Sequence, residues 1–140
     1  MLARLVAVAA PLLGASFAPA QPAGRVTEYG IYSAERKLLM QTHEIPIRAG
    51  VRFGFCFEVP VDSTDEAAML VETLAHPPVQ LRGIEDTGYS VPRMFRVEGG
   101  RAKGCSGYVA RSESELAAGR WRFSLSDGGG DVVVQEFSVR

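Results

Sequence analysis

The residues that could do chemistry are few and scattered. His43 and His76 are the only histidines, and Cys56 and Cys105 the only cysteines. Two imidazoles and two thiolates would match a zinc ligand set. No H-E-x-x-H or C-x-x-C spacing gathers them locally. His43 falls in a polar-alternating stretch, and His76 precedes Pro77-Pro78, where a turn residue is the plainer reading. Met40, Met69 and Met94 carry thioethers that suit Cu(I). They are spread through apolar segments and read as core fillers.

A hydrolase needs an activated nucleophile. GCSGY, residues 104–108, departs from G-x-S-x-G, and Ser106 has no base placed by motif. Carboxylates gather at Asp62, Asp65 and Glu66 and again at Glu85 and Asp86, in polar stretches that read as solvated loops. Asp127 and Asp131 flank three glycines; two carboxylates are too few for Ca²⁺, and a hairpin turn accounts for them. No phosphate loop or dinucleotide fingerprint is present. The expectation is therefore no catalytic set, no cofactor and no metal.

Arg52, Arg120 and Arg122 are the remaining candidates. They alternate with Phe53, Trp121 and Phe123, so they point away from those rings if the segments are strands. Sharing one sheet, they would form an outward stripe for an anionic or carboxylate-bearing partner, since arginine is enriched at interfaces. Solubilising, edge-protecting charge is the plainer reading.

The elements that must position these residues are mostly short strands. VRFGFCFEV, residues 51–59, alternates throughout, with Val51, Phe53, Phe55, Phe57 and Val59 on one face. Residues 24–33 and 37–47 read as strands, as do 79–83, 92–97 and 105–111, with 84–91 irregular. GRWRFSLS-DGGGD-VVVQEFSVR is a hairpin with a glycine turn. Residues 64–75 stay open between two readings. Ser63 and Glu66 sit at capping-box spacing before Ala67, Leu70, Val71 and Leu74, which favours a short helix. The alternative is a loop at 62–66 and a buried strand at 67–75. Seven to nine short strands at regular spacing predict an all-β sandwich or small barrel.

Residues 1–20 read as a signal peptide: Arg4, an apolar run, then Ala18-Pro19-Ala20 before Gln21. Pro11 and Gly14 interrupt the run, which is shorter than the roughly 20 residues of a spanning helix. Residues 21–140 are then one β-sandwich domain, periplasmic or secreted, with no membrane span after cleavage. Fifteen Lys and Arg stand against sixteen Asp and Glu, and the leader removes only Arg4, so the net charge is near -2. The charges are interspersed, which argues against a nucleic-acid partner. In an exported chain, the pair Cys56 and Cys105 predicts a disulfide. Closing a loop of about 50 residues would stabilise by roughly 4 kcal/mol. With the phenylalanines inward, that bridge would staple an outer face, not the two sheets to each other.

GRVTEYGIY near residue 24, VRFGFCFEV after a PIRAG turn, LAHPPV and the terminal GRWRFSLSDGGGDVVVQEFSV occur together here. As a set they resemble an uncharacterised bacterial family of exported immunoglobulin-like domains of unknown function, over residues 25–140. The resemblance implies an immunoglobulin-like antiparallel β-sandwich and moves 67–75 towards a strand. It implies no activity. The reading that results is an exported, non-catalytic domain that binds an envelope protein or small ligand. The alternatives are an enzyme with dispersed catalytic residues and a metal-binding module using His43, His76 and the cysteines.

Overall fold

The computed structural model describes residues 23–62 and 65–140, so the expected leader and Ser63 of the expected capping box lie outside the described residues. Nine strands follow in order: β1 (Arg25–Tyr32), β2 (Leu38–Met40), β3 (Glu44–Ile45), β4 (Arg52–Pro60), β5 (Ala67–Leu81), β6 (Ile84–Glu98), β7 (Arg101–Val109), β8 (Gly119–Ser126) and β9 (Asp131–Val139). One short 3₁₀ turn, Glu113–Glu115, precedes β8. All nine join in a single hydrogen-bonded sheet of order β2-β1-β4-β7-β6-β5-β8-β9-β3.

That sheet is folded over into two layers. β7 meets β6 through only three pairs, from Arg96–Lys103 to Glu98–Arg101. Beyond this corner, β2-β1-β4-β7 forms one layer and β6-β5-β8-β9-β3 the other. The inner faces meet through aromatic rings. Phe53 on β4 touches Trp121 and Phe123 on β8 and Phe137 on β9, with centroids 5.6, 6.1 and 5.3 Å apart. Phe55 packs on Phe123 and Phe57 on Phe95. Each of these side chains is removed from water, and burying one contributes about 1.5–3 kcal/mol. The even alternation of β4 produces this directly, because successive side chains leave a strand on opposite faces.

Residues 67–75 are strand, and the helical alternative is overturned. Val71–Ala75 pairs with β8 on one side and with β6 on the other. Two flanking ladders satisfy the backbone and bury Leu70 and Leu74 together, which outweighs a local helical preference. Residues 84–91 are strand as well, paired with β5 across a register shift between Ala75 and Val79. The methionines are not core fillers: Met40, Met69 and Met94 are 59%, 62% and 65% exposed.

Cys56 and Cys105 form a disulfide, directly opposite each other in the nine-pair β4–β7 ladder. Both point to the outer face of the first layer, so the bridge joins neighbouring strands. Gly54 and Gly107 face each other two pairs further along. A Cβ on Gly54 would lie 2.2 Å from the carbonyl oxygen of Ser106, so the strands approach too closely there for any side chain.

Candidate functional site

The sequence candidates are distributed over the fold as follows. Arg52 lies on the outer face of the first layer, and Arg120 and Arg122 on the outer face of the second. The inner faces press together through Phe53, so these outer faces point in opposite directions and the three arginines form no single stripe. Arg122 is engaged by Asp131 at 2.9 Å, and Arg120 stands 3.7 Å from Glu136.

The metal set does not assemble. The two sulfurs are bonded to each other, which leaves no thiolate to ligate a metal. His43 stacks on Tyr29 at 4.2 Å, while His76 stacks on Trp121 at 4.2 Å. His76 is almost wholly buried, with Nδ1 2.7 Å from the Pro77 carbonyl and Nε2 3.6 Å from Asp86. The two imidazoles are separated by the rings of Phe137, Phe53 and Trp121. Among the described residues, no group of three or more His, Cys, Asp or Glu side chains could hold a metal ion.

His43 and Arg120 do come together. They line a cavity of about 700 Å³ with Gln135, Glu136, Phe137 and Ser138. β9 positions it. On the β8 side this strand is paired from Gly119–Val139 to Ser126–Asp131. Among the described residues, its other side is covered only at its ends. Ser138 N–H donates to the His43 carbonyl and Arg140 N–H to that of Ile45, while Gly24 N–H donates to the Val132 carbonyl. Strand alternation then turns the N–H and C=O of Val134 and the N–H of Glu136 towards the gap. The Glu136 carbonyl is taken by the Gln135 amide at 2.9 Å. That amide also lies 3.3 Å from His43 Nδ1, and the Gln135 side chain is buried on the inner face.

The cavity therefore offers backbone donors in a row, an imidazole, an amide and a guanidinium. That is equipment for hydrogen-bonding an extended or carboxylate-bearing ligand. Among the described residues, no hydroxyl at it is hydrogen-bonded to His43 or Glu136. Sequence reasoning found His43 and Arg120 but not Gln135. A polar residue at an inward position of β9, between Val133 and Phe137, was the available signal.

A second polar cluster lies inside the flank between β6 and β7. Glu72 is 1% exposed. Nη1 of Arg93 donates to its two carboxylate oxygens at 3.2 and 3.3 Å. The Tyr89 phenol beside them is pushed up to about 12 by burial first and by the Glu72 charge next. Ser106 Oγ is buried nearby without a hydrogen-bond partner; the Tyr89 phenol feels it, but not in good hydrogen-bond geometry. A single glutamate within the apolar alternation Leu70, Glu72, Leu74 was the mark of this cluster in the sequence.

The chain is similar to the crystal structure of an immunoglobulin-like protein from Pseudomonas aeruginosa. The TM-score is 0.66 and the identity 23%, over 86% of this chain and 99% of that one. An alkylpurine DNA glycosylase from Pseudomonas fluorescens bound to DNA matches at a TM-score of 0.43 and 10% identity. That match spans 86% of this chain and 31% of the other, a likeness too slight to carry an argument. No curated protein matches the chain. The first likeness makes the fold immunoglobulin-like, in keeping with two layers of strands that pair antiparallel everywhere except at β3–β9, which is parallel. Residues 20–139 match the model of one family, and the chain belongs to it: Domain of unknown function (DUF3859).

Proposed function

We propose that the protein is an exported, non-catalytic binding domain whose ligand site is the cavity at the open edge of β9. One observation carries this reading. Among the described residues, the N–H and C=O of Val134 and the N–H of Glu136 are unpaired, and they open onto a cavity of about 700 Å³ that also presents His43 and Arg120. A short extended segment with a carboxylate, from an envelope protein or a small ligand, would hydrogen-bond that edge and set its charge beside Arg120. Export is supported by the leader-like first twenty residues and by the disulfide, which persists in oxidising compartments. Among the described residues no helix is long and apolar enough to cross a membrane.

The test is a pull-down from envelope extract, comparing the protein with a His43→Ala, Arg120→Ala double variant. The reading expects a partner or ligand that the variant loses while still folding. No enrichment, together with hydrolysis in a broad substrate screen, would replace it with the enzyme reading. Cell fractionation with sequencing of the processed N-terminus tests export; an unprocessed cytosolic chain would refute it.

A further inference from the structure

The Cys56–Cys105 bridge is unequally covered on its two sides. On the β4 side Cys56 is half-buried, and Glu28 of β1 stands opposite it in the β1–β4 ladder. Opposite residues of an antiparallel pair project to the same face, so the Glu28 side chain shares the outer face with the bridge. The Tyr32 phenol, whose oxygen is buried, lies beside Glu28. Gly30 and Gly54, opposite each other on the same two strands, are buried as well. On the β7 side Cys105 and Gly107 are exposed. β7 pairs with β6 only as far as Lys103, so from Gly104 onward no strand lies beside it on that side among the described residues.

Disulfide chemistry gives this asymmetry a direction. A thiolate displaces one sulfur from the other through a mixed disulfide. It approaches along the S–S axis, from the side away from the sulfur that leaves. The bridge joins neighbouring strands, so that axis runs across the ladder between β4 and β7. An approach to Cys105 Sγ therefore comes from the open flank beyond β7. An approach to Cys56 Sγ would come from β1, past Glu28, whose charge repels an anionic nucleophile. Glu58, the next outward residue on β4, adds little to that field. It is neutralised by Arg25, Arg101 and Lys103 at 2.9, 3.2 and 3.8 Å.

We propose that the bridge is a thiol–disulfide exchange site of fixed polarity, in which Cys105 Sγ is the sulfur attacked and Cys56 Sγ the one released. The co-reactant is a dithiol. Its first thiolate bonds to Cys105 Sγ as the Cys56–Cys105 bond breaks and Cys56 takes the electron pair. Its second thiolate then attacks that first sulfur and releases the Cys105 thiolate. The dithiol leaves as a disulfide, oxidised by two electrons, and its two protons pass by way of solvent to the two cysteines. Exposed disulfides are the ones that exchange readily. The sandwich survives the change, because the ladder from Arg52–Val109 to Pro60–Arg101 and the buried phenylalanines of β4 do not involve the sulfurs.

Reduced glutathione, a single thiol, stops the reaction at the mixed disulfide and so records which sulfur was attacked. The oxidised chain is treated with it under native conditions, quenched early by alkylation and mapped by mass spectrometry. The expected product carries glutathione on Cys105 and the alkyl group on Cys56, in about tenfold excess over the reverse, and urea abolishes the excess. Single variants give an independent reading. With oxidised glutathione, the lone thiol left by Cys56→Ser should react faster than the one left by Cys105→Ser, and only while the chain is folded. The chain reduced by dithiothreitol should keep its aromatic circular-dichroism signal. Glutathione found mainly on Cys56, equal labelling of both cysteines in the folded chain, or a bridge that reacts only after unfolding overturns the proposal.

Discussion

Arg93 holds the carboxylate of Glu72 from the outside: the glutamate side chain is 2% exposed and the arginine side chain 51%. A buried charge whose partner is removed costs about 3–5 kcal/mol, whereas replacing both members with apolar groups is often neutral. Arg93→Met should therefore destabilise by about that amount, and Glu72→Leu with Arg93→Met together by much less. Urea unfolding of the two single variants and the double variant measures the coupling; additive effects would mean the pair does not act as a unit.

The close approach of β4 and β7 predicts a severe cost at Gly54. Its Cβ would meet backbone, not a flexible side chain, at 2.2 Å. Gly54→Ala should cost at least the roughly 1–3 kcal/mol typical of overpacking. Gly129→Ala is the control: its nearest atom is the Asp127 carboxylate at 3.4 Å, in the β8–β9 turn. A melting temperature unchanged by Gly54→Ala would refute the close approach.

The disulfide spans 49 residues in sequence. The Cys56→Ala, Cys105→Ala variant should lose about 4 kcal/mol in the chain-entropy account. It should stay folded, because the ladder from Arg52–Val109 to Pro60–Arg101 and the phenylalanine face of β4 do not depend on the bridge. Near-ultraviolet circular dichroism at room temperature checks this; loss of the aromatic signal would contradict it.

The Tyr89 phenol, raised to about 12, gives a prediction at high pH. Burial and Glu72 favour its protonated form in the folded state. Its contribution to stability is then complete below the ordinary phenol value of 10.0 and declines as pH rises towards about 12. Phenolate absorbance should show a late-titrating group that Tyr89→Phe removes. Titration of that group at its ordinary value would exclude the half-buried setting beside Glu72.

Several of these features were legible before any coordinates. The alternation in VRFGFCFEV placed three phenylalanines inward and Cys56 outward, because side-chain direction in a strand is a local property of the backbone. The Trp121 hairpin and the β-sandwich class follow from the same period and from glycine turns. By contrast, 84–91 looked irregular because Gly88 interrupts it and Pro92 follows it. They sit in an edge strand whose outward side needs no partner N–H, and only the pairing of β6 discloses that.

The local pattern also determined which way each arginine points relative to its own strand, and that His43 and Gln135 are polar groups within strand-forming segments. It could not say that the outer faces of Arg52 and Arg120 look in opposite directions, since that depends on how the sheet folds over at the β6–β7 corner. Nor could it bring His43 to Gln135, 92 residues away, or set Arg93 over a buried Glu72. Those relationships are contacts between distant parts of the chain. They exist because burying the aromatic faces of β4, β8 and β9 closes the two layers, and that closure alone decides which edges stay open.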